Sequence, residues 1–254
     1  MNPYTVKFEQ NDLNLPGVKV TNHEFNMLPS REIAINKLAR RDLSIITSAE
    51  YSQKSITVSA EVCGGDRGQT EEVLTLLKRI LQPKNGELRV LQNGYEVRYT
   101  ATMNELGIEW EGTTAYVTIV FIASDPFGET VELLTFSAFT HTASQSFSTA
   151  EFIGSGTIEP TINITINSLT GSGEQDIKVF NARTNQGITL TRVWTAGEII
   201  TIDSSNKQVD VDGGLIDFTG LFPTFAGGTQ QVGISDTFTA RNMNVSVGYY
   251  GKLV

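Results

Sequence analysis

Cysteine and histidine are scarce in this chain of 254 residues, and its positive charge is outnumbered by negative. Cys63 is its single cysteine, so no disulfide forms within the chain, which fits synthesis in a reducing cytoplasm. His23 and His141 are its two histidines. Nucleophilic catalysis needs a base beside a hydroxyl or thiol and a third group to orient that base. Neither histidine lies near a Gly-x-Ser-x-Gly elbow, and Cys63 ends an alternating strand. Lys and Arg total 19 against 28 Asp and Glu, a net charge of −9. Tight nucleic-acid binding rests on basic side chains displacing phosphate counterions, and it is not expected here. There is also no basic stripe for an anionic membrane. No run approaches the roughly 20 apolar residues that span a bilayer. Met1–Gln10 shows no basic stretch followed by an apolar one, so no signal peptide is expected.

What is present is enough apolar material, 39% of residues, for packed cores, and a sharp change of character at Asp125-Pro126-Phe127-Gly128. Residues 1–136 carry 31 charged side chains and residues 137–254 carry 16. Two domains are expected, 1–136 and 137–254. In the first, Ser55–Cys63 alternates as a half-buried strand, and the turn Gly64–Gly68 leads into a helix over about 67–81. Asp66 is placed to cap it, with Gln69 three residues on. Val73, Leu77, Ile80 and Leu81, with Leu74 beside them, form its apolar stripe, and Pro83 stops it. Leu88–Leu91 and Tyr95–Met103 flank Asn93-Gly94 as a hairpin. Tyr116–Ala123 is apolar on both faces and reads as a central strand. Residues 24–43 are open between helix, loop and a long extended excursion.

The second half reads as short alternating strands: Thr161–Asn167, Ile177–Asn181, Ile188–Trp194, Ile199–Asp203, Gln208–Asp212 and Met243–Tyr250. Turn clusters punctuate them, as in a β-sandwich. Residues 137–150 read as a Ser/Thr-rich linker.

Each candidate for chemistry meets a plainer alternative. Asp210-Val211-Asp212-Gly213-Gly214 resembles a fragment of a calcium loop, but the distal glutamate and further ligands are missing, and a solvated hairpin is expected. Gly154–Thr157 and Gly64–Gly68 lack the lysine and context of a phosphate cradle. Glu71 and Glu72 are expected in the first helical turn, and Glu109 and Glu111 in a loop around Trp110. Trp194 could stack on a sugar, yet it shares a strand face with Ile188 and Leu190, as a core residue would. No catalytic residue, metal or cofactor is expected.

The order of these elements resembles the distal tail protein family of long, non-contractile-tailed bacteriophages. The resemblance lies in Ser55–Val62, the helix through Leu81, and Ser124-Asp125-Pro126-Phe127. It continues in Gly156–Pro160, Ile162–Ile166, Ala196-Gly197-Glu198 with Thr201-Ile202-Asp203, the Val209–Gly213 hairpin, Leu221–Gly228 and Val245–Tyr250. One departure is Phe225-Ala226-Gly227-Gly228, where the family often reads Leu-x-Pro-Gly. The resemblance implies a mainly β, α+β chain: an N-terminal β-barrel or sheet domain with one helix that builds a ring, and a C-terminal galectin-like β-sandwich outside it. It also implies a virion structural protein of the tail tip, a homohexamer in one ring or two stacked rings. Its partners would be the tail-tube protein, the tail-associated lysin or fibre hub, and receptor-binding proteins, with DNA passing through without specific binding. The alternative is a glycan-binding tail or adhesion module acting through Trp194.

Overall fold

The computed structural model describes residues 5–24, 31–37, 44–92 and 94–253. The chain divides into two compact units, Met1–Val131 with Val254, and Glu132–Leu253. The division falls just after Asp125–Gly128 and five residues before the expected domain boundary at 136.

The first unit contains β1 (Val6–Phe8), β2 (Asn11–Asp12), β3 (Val18–Glu24), β4 (Arg31–Lys37), β5 (Ser44–Tyr51), β6 (Lys54–Cys63), α1 (Arg67–Ile80), β7 (Gly86–Gln92), β8 (Tyr95–Glu111), β9 (Thr114–Ala123) and β10 (Gly128–Thr130). One antiparallel sheet runs β2-β1-β7-β8-β9-β6-β3, and β4 pairs with β5 separately. The sheet does not close among the described residues, so the unit is the sheet form of the barrel-or-sheet expectation. Part of the 24–43 excursion is strand β4, while residues 25–30 and 38–43 lie outside the described residues.

The helix begins as the capping pattern predicts: the Asp66 carboxylate accepts from Gln69 N–H at 2.8 Å. Leu74, Leu77 and Leu81 are buried against the sheet, whereas Leu76 is 45% exposed. Leu74 is thus central to the stripe, and Val73 and Ile80 sit at its half-buried margins. Buried Thr70 anchors the start of the helix. Its hydroxyl accepts from Gly64 N–H at 2.9 Å and lies 2.8 Å from the Thr113 carbonyl of the β8–β9 turn. Glu71 and Glu72 fall beyond the first turn, which holds no acid. Glu71 instead faces exposed Arg67 at 3.6 Å.

Strand β8 runs eight residues past the expected end at Met103. The register slips between Met103 and Glu105, so Asn104 is a bulge that inverts the alternation and disguises the continuation. Glu109 and Glu111 are therefore on a strand, opposite Tyr116 and Thr114. Strand β9 is central as expected, between β8 and β6. Ala115, Val117, Ile119 and Phe121 point into the core, where the Phe121 ring lies 5.2 Å from that of Phe8. On the opposite face Tyr116 is 45% exposed.

The second unit is a sandwich of β11 (Leu134–His141), β12 (Gln145–Phe152), β13 (Thr161–Thr170), β14 (Gln175–Asn181), β15 (Gly187–Arg192), β16 (Ile199–Asp203), β17 (Gln208–Val211), β18 (Gly214–Leu215), β19 (Thr219–Gly220), β20 (Gly228–Asp236) and β21 (Ala240–Tyr249). One sheet runs β11-β21-β13-β16-β17-β18 and the other β12-β20-β14-β15-β19. Ile162, Ile164 and Ile166 of the first face Ile177, Val179, Ile188 and Leu190 of the second across a common core. At one end of that core the Phe152 ring stacks on Phe225, centroids 4.7 Å apart. The stretch 137–150 is not a linker: it forms most of β11 and β12, paired with β21 and β20. Ser and Thr hide these strands because they are neutral to pattern counting yet sit well on the solvent face of a sheet.

Candidate functional site

Both histidines are positioned by strands, one in each unit. His23 on β3 is half-buried, and burial lowers its pKa against the opposing effect of a backbone hydrogen bond. His141, at the end of β11, is fully buried with Nε2 2.5 Å from Asp236 Oδ2. Asp236 in turn receives Arg241 Nε at 2.9 and 3.1 Å and Phe238 N–H at 2.9 Å. The Arg241 guanidinium also reaches the Phe238 carbonyl. This looks like the orienting half of a catalytic triad, but the nucleophile side is empty of chemistry. His141 Nδ1 is buried, and no hydroxyl or thiol meets it among the described residues. The cluster ties β11 to the β20–β21 turn.

The first unit has a different buried polar contact beside the Asp125–Gly128 segment. Lys54, 2% exposed, directs Nζ to the Tyr99 hydroxyl at 3.0 Å. Burial lowers the lysine pKa to about 8 and raises that of Tyr99. Gly128 N–H donates to the same Tyr99 oxygen. A Cβ on Gly128 would lie 2.4 Å from Tyr99 Cζ and 2.3 Å from Val97 Cγ1, so only glycine fits against that ring. Asp125 Oδ1 accepts from Phe127 N–H at 2.9 Å and shapes the bend that delivers Gly128. The conspicuous sequence motif therefore serves to bring β10 alongside β8 at Arg98 and Val97.

The remaining candidates are occupied by local structure. Cys63 is exposed at the end of β6. Asp210 Oδ1 accepts from Gly213 N–H at 3.2 Å and Asp212 Oδ1 from Ile199 N–H at 3.1 Å, so both carboxylates are turn and strand caps. Among the described residues, no three His, Cys, Asp or Glu side chains group as metal ligands. Ser155 N–H and Gly156 N–H both point to the Lys252 carbonyl, at 2.5 and 3.3 Å, instead of forming an open anion nest. Trp194 is 5% exposed, and its indole N–H donates to the Gln175 carbonyl at 2.9 Å. The Arg192 guanidinium lies 5.1 Å from its ring centroid. A sugar has no open indole face there to stack on.

Surfaces suited to assembly are plainer. Strand β7 pairs β8 only as far as Ala101, so the same edge of β8 from Thr102 to Glu111 has no strand partner among the described residues. Such an edge is a template for pairing with another chain. It is also acidic: Glu105, Glu109 and Glu111 are exposed. The charge and hydrogen bond of Glu111, with a smaller contribution from Glu61, raise the pKa of Tyr116 on the same face. A cleft of about 440 Å³ in this unit is lined by Glu9, Glu87, Asp125 and Glu129, with Arg98 as its single basic residue. On the sandwich, Leu215 and Leu221 are 73% and 70% exposed, two large apolar side chains left open to solvent.

No family model matches the sequence, and none of the curated proteins does. Solved structures do. The chain superimposes on SPP1 Dit (gp 19.1), described as a paradigm of hub adsorption apparatus in phages infecting Gram-positive bacteria. The TM-score is 0.66 at 15% identity, over 99% of both chains. Components of the phage P2 baseplate in its activated conformation, with calcium and with strontium, align with TM-scores of 0.40 and 0.39 at 9% and 10% identity. Those alignments cover 96% of this chain and 97% of theirs. From end to end, helix-bearing sheet and sandwich together, this chain has the fold of SPP1 Dit.

Proposed function

We propose that this protein is a structural hub of a phage tail tip. Six copies form a ring that joins the tail tube to the tip or receptor-binding apparatus and lets DNA pass. The observation that carries the reading is the shared fold over 99% of both chains, which includes both units and not one common module. Two features of the chain support it. The open β8 edge would find its partner in a neighbouring subunit, which satisfies its backbone groups and completes a ring. The acidic face around Glu105, Glu109 and Glu111 would repel phosphates, so DNA could slide past without adhering. A structural role fits the surroundings of His141, whose pair with Asp236 has no nucleophile beside it among the described residues. Light scattering of the purified protein, with negative-stain micrographs, tests the proposal. It expects a mass near six chains and ring-shaped particles.

A further inference from the structure

We draw no further inference here: the strongest candidate, the row of Phe147, Phe180 and Leu221 that crosses the outer face of the sandwich sheet β12-β20-β14-β15-β19 through Gly233 and Gly187, is an open sheet face, and nothing in the structure shows what covers it.

Discussion

The two units bury charge in opposite ways. In the sandwich, Asp236 sits between Arg241 and His141 and accepts from both as well as from a backbone N–H. In the helix-bearing sheet, Lys54 is buried against a neutral tyrosine hydroxyl and pairs with no carboxylate among the described residues. The first is a network in which each member depends on the others. The second is a single unfavourable group tolerated by its surroundings. Removing a charge should therefore harm one unit and help the other.

The largest effect should come from Asp236→Ala. It strands a buried guanidinium and a buried imidazole, and breaking a buried pair costs about 3–5 kcal/mol. Urea denaturation followed by near-ultraviolet circular dichroism should show the sandwich unfolding early. Leu77→Ala, in the helix facing the sheet, should cost about 3 kcal/mol through lost burial and a residual cavity, read as a lower denaturation midpoint. Lys54→Met should act in the other direction.

The sign for Lys54 follows from its folded pKa of about 8 against an ordinary 10.5. Between these values the unfolded chain holds a proton that the folded chain does not, so stability rises with pH across that window. Below pH 8 both states are charged and the full penalty is present. Lys54→Met should thus stabilise by about 2–3 kcal/mol at neutral pH, with the gain fading above pH 8 and gone by about pH 10.5. Equal gains at pH 7 and pH 10 would contradict the assignment. The smallest effect, about 1 kcal/mol, is expected for Asp66→Ala, which removes the helix cap and should lower the melting temperature slightly.

The same contrast explains what could be read in advance. Elements with strong local signals were legible from residues alone: the Asp66-capped helix, the Asn93-Gly94 hairpin, of which Asn93 lies outside the described residues, and the isoleucine strand of β13. Strands without such signals were not. Ser and Thr masked β11 and β12, the Asn104 bulge hid half of β8, and Gly233 interrupts β20 where the Phe180 ring presses on it. Long-range partnerships left no local trace. His141 and Asp236 are 95 residues apart, Lys54 and Tyr99 are 45 apart, and no periodicity connects them.

Ring closure by copies of the acidic, open-edged first unit is the proposal on which the function rests. The most direct measurement is the solution mass by multi-angle light scattering across a wide range of concentrations, paired with negative-stain images of the same fractions. The account predicts a species of six chains that appears as a ring with a central hole. A monomer at every concentration, with no ring in the images, would contradict it.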